Sequence, residues 1–243
     1  MTDGRPGPAG TGQENRVREL VDRLRTWSGR YPRIGFTCSF GGTSIVVAHL
    51  IATRRLAIPI YFLDTGLLFE ETLALRHTYE QRFGVPIVDV RPDADDLARA
   101  ASGGVDLFRR DPDLCCDLRK VQPMRRLLAG LDAWIGGLRR DQSPTRGAVE
   151  TEERHVLEDG RIIAKLSPMA YWTRQEAWDY IRAMDLPYNP LAERGFKSIG
   201  CRPCTQPVGA DEDERAGRWA GTGKTECGLH TFTRRLSDDA VRL

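Results

Sequence analysis

Short apolar runs that alternate with glycine turns and helix-like stretches constrain this chain more than any other feature. Arg33-Ile-Gly-Phe-Thr-Cys38 leads through Ser39-Phe-Gly-Gly-Thr-Ser44 into Ile45-Val-Val-Ala-His-Leu-Ile51, which reads as strand, turn and helix. Ile58 to Leu63 (IPIYFL) is a second strand ending at Asp64-Thr-Gly66, and Glu70 to Phe83 is a helix closed by Gly84. Val85 to Val90 is a third strand, and Ala133 to Leu138 and Arg161 to Lys165 are candidates for a fourth and fifth. Trp178 to Met184 belongs to a late helix with Thr173 as N-cap. Strands that alternate with helices predict an α/β fold, a mainly parallel sheet flanked by helices. At 243 residues the chain is long enough to bury a full core without covalent staples.

The ends read differently. Residues 1–13 are rich in Gly, Pro, Thr and polar residues and predict a flexible tail. From Arg16, Val17, Leu20, Val21 and Leu24 recur at helical spacing. Past Pro207 the chain turns polar and Gly-rich, so residues 208–243 are expected to form a mobile C-terminal segment beside a 14–207 domain. No stretch has the form of a leader peptide, and no run approaches the ~18 apolar residues of a membrane span. A cytoplasmic location is the resulting expectation. Lys+Arg 36 against Asp+Glu 34 leaves +2, too little to recruit nucleic acid or a membrane surface. Oligomeric state is left open, a homo-oligomer included.

Six cysteines stand at 38, 115, 116, 201, 204 and 227. A reducing compartment disfavours structural disulfides, and adjacent Cys115 and Cys116 pair poorly with each other. Together with Cys201-Arg-Pro-Cys204 they supply four thiolates, suited to a structural zinc or an iron–sulfur cluster. Zinc ribbons usually draw on two spaced Cys-x-x-Cys knuckles. An adjacent pair fits a cubane better, because each thiolate there has its own iron. Lys120 follows Cys116 by one helical turn and would face an anionic cluster. Cys38, inside a strand, reads as a small core residue.

Two further motifs suit an anion. Ser39, Phe40, Gly41 and Gly42 form a strand-to-helix loop whose N–H groups approach a phosphate or sulfate. No lysine follows the glycines, so it is not a Walker A loop. It resembles the Ser-Gly-Gly-x-Asp-Ser loop of the adenine nucleotide alpha-hydrolase-like (Rossmann-like) group, with Phe40 in place of a glycine and Thr43 in place of a magnesium-holding acid. Gly137-Leu-Arg-Arg-Asp-Gln-Ser-Pro-Thr-Arg146 leaves a strand where α/β sheets bind ligands, and Arg139, Arg140, Ser143, Thr145 and Arg146 supply donors. Arg215 and Arg218 are candidates to join them. Cys227, in Glu226-Cys-Gly-Leu-His230, is a thiol in a polar stretch with Lys224 and His230 nearby.

Leu63-Asp64-Thr65-Gly66, Cys115-Cys-Asp-Leu-Arg-Lys-Val121, the Gly137–Arg146 run, Gly195-Phe-Lys-Ser-Ile-Gly-Cys-Arg-Pro-Cys-Thr205 and Glu226–His230 together resemble the assimilatory sulfonucleotide reductases. The likeness is to the cluster-containing branch, the adenylyl-sulfate (APS) reductases, and runs in unbroken order from about Ile34 to His230. It implies a [4Fe-4S] cluster on Cys115, Cys116, Cys201 and Cys204, Cys227 as nucleophile assisted by His230 and Lys120, APS as substrate and thioredoxin as electron donor. Members commonly carry an acidic pair where Thr43 and Ser44 stand here. The rival readings are a PAPS or dual APS/PAPS reductase, a tRNA-thiolating enzyme with a nucleotide loop, and a non-catalytic zinc-ribbon module.

Overall fold

The computed structural model describes residues 12–102 and 106–236. Five strands run parallel: β1 (Ile34–Thr37), β2 (Ile60–Leu63), β3 (Ile87–Val90), β4 (Ala133–Ile135) and β6 (Ile162–Leu166). Two antiparallel strands, β5 (Glu152–Val156) and β7 (Arg234–Arg235), complete a seven-stranded sheet in the order β3-β2-β1-β4-β6-β5-β7. After β3 the chain returns past β1 to lay down β4 on its other side. That reversal opens a crevice at the carboxyl ends of β1 and β4, the ligand position of an open α/β sheet.

The first helix, α1 (Gly12–Arg30), starts four residues before the expected Arg16 and buries Leu20, Val21, Leu24 and Trp27. The expected tail thus falls almost wholly outside the described residues. α2 (Gly42–Thr53) is apolar on every side because it lies between the sheet and α8 (Arg174–Ala183), with Val46 and Val47 fully buried. α3 (Glu70–Phe83) ends at Gly84, whose φ of +61° lets its N–H reach the Glu80 carbonyl at 3.1 Å. Thr173 caps α8 reciprocally with Glu176: the Glu176 N–H donates to Thr173 Oγ1 at 3.1 Å, and the Thr173 N–H donates to Glu176 Oε2 at 2.7 Å. No helix among the described residues is long and apolar enough to cross a membrane.

Two features go beyond the sequence reading. β5 is absent from the sequence reading because its inward positions are polar. Glu153 and His155 are buried, Glu153 on Arg235 at 2.8 Å and His155 Nδ1 against Thr233 Oγ1 at 2.8 Å. Apolar alternation cannot find a strand of that kind. The segment expected to be a mobile tail also packs on the domain through residue 236. Trp219 is buried, its N–H donates to the Cys204 carbonyl at 3.0 Å, and the Gln206 N–H donates to the Gly217 carbonyl at 2.9 Å. A Cβ at Gly217 would stand 2.1 Å from the Gln206 oxygen, so this docking requires glycine there. The last part of the expected tail, 237–243, lies outside the described residues.

Candidate active site

The pocket at the switch point is lined by the β1–α2 loop, the β4 exit, Lys120, and the C-terminal segment from Glu214 to His230. The β1–α2 loop begins with Ser39, whose Oγ lies 3.3 Å from Ser44 Oγ. Phe40 holds a φ of +54°, a conformation that costs a side-chain-bearing residue about 1–2 kcal/mol. Its ring offsets that cost by packing 5.6 Å from Phe62 and 5.3 Å from Tyr79 in the core. Phe40 therefore serves the loop through its backbone, while its ring belongs to the core. Gly41 and Gly42 open α2, presenting N–H groups and the positive helix end to the pocket. A Cβ at Gly137 would stand 2.7 Å from Ser44 Oγ, so the β4 exit closes on this loop only because it lacks a side chain. Thr43, in place of an acid, is buried and accepts a hydrogen bond from Arg139.

The arginines divide. Arg139 is 2% exposed; besides Thr43 it pairs with Asp141 at 2.8 Å and Glu214 at 2.7 Å. Arg146 lines the pocket and grips Glu226 with two bonds of 2.9 Å, and Arg215 reaches the same carboxylate at 3.0 Å. Burial first, then Arg146 and Arg218, bring the Arg215 pKa down to about 10. Arg218 also lines the pocket, stacked 4.6 Å from the Trp219 ring, and its buried Nε has no partner among the described residues. Arg140 goes elsewhere: it pairs with Glu150 and stacks 4.2 Å from the Tyr171 ring, away from the pocket. Ser143 and Thr145 bond each other at 2.9 Å and do not line the pocket either.

Leu63 and Thr65 line the pocket at the end of β2, whereas Asp64 and Gly66 shape the turn behind it. Asp64 accepts from the Gly66 N–H at 3.0 Å and from Arg91 Nε at 3.0 Å. Thr65 Oγ1 lies 3.3 Å from Cys201 Sγ.

Cys115 and Cys116 end the short helix α6 (Pro112–Cys116), which Asp111 caps through the Leu114 N–H at 2.9 Å. The chain then widens into one π-helical turn, Asp117–Val121, before α7 (Gln122–Ala129). That turn buries Lys120 among Cys116, Cys201 and Cys227, and 5.8 Å from the Trp219 ring. Burial opposes the ammonium charge, but the surrounding Cys201, Cys227 and Cys116 outweigh it and hold the lysine above its ordinary range. Burial pushes Cys116 up to about 12 and raises Cys115 and Cys204 as well. At Cys201 burial also acts upward, yet Lys120, Thr65 and Arg218 prevail and lower it. All six cysteines are free thiols. The four candidate ligands come in two facing pairs beside a buried cation, a donor set that fits a four-thiolate anionic cluster. No three His, Cys, Asp or Glu side chains among the described residues converge as a single ion requires. A cubane makes no such demand, since each thiolate has its own iron. Cys38 is a core residue as expected, 2% exposed, with its thiol pushed up to about 12 by burial.

Cys227 is 8% exposed and lines the same pocket, packed with Cys116 and Trp219. His230 lies within a turn in which the N–H groups of Thr231 and Phe232 both donate to the Gly228 carbonyl at 3.1 Å. Its ring stacks on Trp134, centroids 5.5 Å apart and planes 9° apart, and burial holds its pKa well below the ordinary value. Lys165 donates to the His230 carbonyl at 3.1 Å. Burial lowers this lysine to about 8. The structure thus gives His230 the position of a neutral wedge that seats the turn after Cys227. Sequence reasoning gave no role to Lys165, Trp134, Gln142 or Glu214; Gln142 lies inside the Gly137–Arg146 run, where the arginines and hydroxyls drew the assignment instead.

Comparison with known proteins agrees with this geometry. The phosphoadenosine phosphosulfate reductase domain matches residues 33–207. The chain is 42% identical over 218 residues to adenosine 5'-phosphosulfate reductase 2 of Bacillus subtilis, covering 87% of this chain and 91% of that protein. It is 43% identical over 224 residues to adenosine 5'-phosphosulfate reductase of Geobacillus thermodenitrificans, covering 89% and 92%. The fold resembles the crystal structure of phosphoadenylyl-sulfate (PAPS) reductase from Candida auris, with a TM-score of 0.65, 24% identity, and 84% of this chain and 100% of that one covered. Yeast FAD synthetase shares the fold more distantly, with a TM-score of 0.55, 16% identity, and coverage of 85% and 70%. Sequence, sheet order and pocket agree, and the chain belongs to the phosphoadenosine phosphosulfate reductase domain family.

Proposed function

We propose that this chain reduces adenosine 5'-phosphosulfate to sulfite and AMP in assimilatory sulfate reduction, with Cys227 as nucleophile and thioredoxin as donor. One observation carries the reading: Cys227, the anion-binding β1–α2 loop and four buried or half-buried arginines line a single pocket at the switch point. The Cys227 thiolate attacks the sulfur, the S–O bond to AMP breaks, and an S-sulfocysteine forms. A thioredoxin thiolate then attacks Cys227 Sγ; sulfite leaves with the electron pair and a mixed disulfide remains. The second thioredoxin thiol resolves it, returning Cys227 as a thiolate and thioredoxin as its disulfide. The dithiol supplies both electrons.

The residues divide this work. The N–H groups at Gly41 and Gly42, with Arg139, Arg146, Arg215 and Arg218, balance the phosphate, the sulfate and the charge growing on AMP. A [4Fe-4S] cluster, when bound by Cys115, Cys116, Cys201 and Cys204, supplies a cross-link between helix and loop and a fixed negative charge. Lys120 lines the pocket beside Cys116, Cys201 and Cys227, where its ammonium meets the substrate anion. Because Cys227 is 8% exposed, the C-terminal segment has to move before thioredoxin reaches it.

The test is an anaerobic assay of sulfite release with thioredoxin, run on APS and PAPS in competition. The expected kcat/KM favours APS by about tenfold or more, because a 3'-phosphate has to find its own cation to be accepted. A preference for PAPS overturns the choice of substrate, and no sulfite from either nucleotide overturns the activity.

A further inference from the structure

Three of the four arginines that line the pocket, Arg139, Arg146 and Arg215, are already occupied by the protein's own carboxylates. Arg146 gives Nε and Nη2 to the two oxygens of Glu226, each at 2.9 Å, and Nη1 to Gln142 Oε1 at 2.6 Å. Arg215 gives Nη2 to Glu226 at 3.0 Å and to the Thr225 carbonyl at 2.9 Å. Arg139 is spent on Thr43, Asp141 and Glu214. Glu214 and Glu226 both belong to the C-terminal segment, and Glu226 is the neighbour of Cys227. A forked, two-bond arginine grip is the geometry that also selects phosphate and sulfate. Burial raises the cost of a charged Glu226, yet Arg146 and Arg215 hold it below the ordinary carboxylate range, so an anion sits on them at neutral pH.

We propose that Glu226 is a positioning residue that stands in for a substrate anion on Arg146 and Arg215, so that nucleotide binding and seating of the Cys227 segment compete. The inference rests on the reading of this pocket as an adenine-nucleotide site. With the segment closed, Glu226 fixes Cys227 beside the pocket and keeps the arginines paired. When a nucleotide anion takes the fork of Arg146, Glu226 is released and the segment carrying Cys227 loosens. Linkage makes the effect reciprocal: AMP weakens the Glu226 contact by the same factor by which Glu226 weakens AMP.

The test uses the purified holoenzyme, with AMP as probe. Glu226→Gln is expected to bind AMP about tenfold tighter and to leave Cys227 open to labelling without any nucleotide, a gain in affinity that general destabilisation does not produce. In the wild type, saturating AMP is expected to speed iodoacetamide labelling of Cys227, read on its own peptide; in Glu226→Gln labelling is already fast and AMP adds little. An AMP affinity in the variant within about twofold of wild type, or weaker, overturns the inference. So does AMP that slows labelling of the wild type, a measurement that decides the matter even if the variant fails to fold. A wild type that binds no AMP sinks the nucleotide-site reading as well, which separates the two failures.

Discussion

Cys227→Ser is expected to lower sulfite release from APS by at least ~10⁴-fold, the scale on which nucleophile knockouts act. A serine hydroxyl is almost never ionised near neutral pH, whereas a thiol beside Lys120 gives an intrinsically strong nucleophile. The substitution removes one sulfur from the edge of a pocket whose other walls are unchanged. AMP affinity and the cluster's visible absorption should therefore persist. Equilibrium binding, absorption and sulfite assay on one preparation check the three parts together. Retained turnover removes Cys227 from its role, and lost absorption shows that the thiol is needed for the fold instead.

Arg146→Met comes next in size, with kcat/KM for APS expected to fall about 10²–10³-fold. Arg146 is 9% exposed, so its charge acts through little intervening water, and it is the only partner of Glu226 that grips both carboxylate oxygens. Methionine keeps much of the volume and none of the donors. Two consequences follow. Substrate loses a cation, so AMP binding weakens, and Glu226 keeps only Arg215 and the longer bond from Thr145, so the Cys227 segment is held less firmly. The sign on AMP affinity is opposite to that expected for Glu226→Gln. Measuring both variants therefore separates an arginine that binds the nucleotide from one that only anchors the segment. Unchanged kcat/KM in Arg146→Met returns Arg146 to a structural role.

The parallel half of the fold was legible because its signals are local. Buried strands such as Ile60–Leu63 are nearly all apolar, α3 ends at a glycine, and α8 starts at a Thr/Glu capping box. The antiparallel edge was not legible, because β5 turns Glu153 and His155 inward and pairs them with Arg235 and Thr233, about eighty residues away in sequence. The same distance effect hid Lys165, a strand residue whose task is set by the His230 carbonyl. Motif spacing found the cysteines, the loop and most of the arginines, but it could not tell Arg139 from its neighbour Arg140. Arg139 is extended and Arg140 opens a 3-10 turn, so the two side chains diverge, one into the pocket and the other toward Glu150 and Tyr171. Polar composition past Pro207 carries no sign of the contacts there, in which glycine at 217 admits the Gln206 carbonyl and the Trp219 ring sits among Lys120, Arg215 and Arg218.

The central claim is that Cys227 carries the sulfur of the substrate between nucleotide and thioredoxin. Mass spectrometry of the protein after APS is added without thioredoxin tests it most directly. The expected result is one SO₃ group on the Cys227 peptide, one equivalent of AMP released, and discharge of the adduct as sulfite once reduced thioredoxin is supplied. AMP and sulfite formed with Cys227 unmodified throughout, or the group found on another cysteine, would contradict the account.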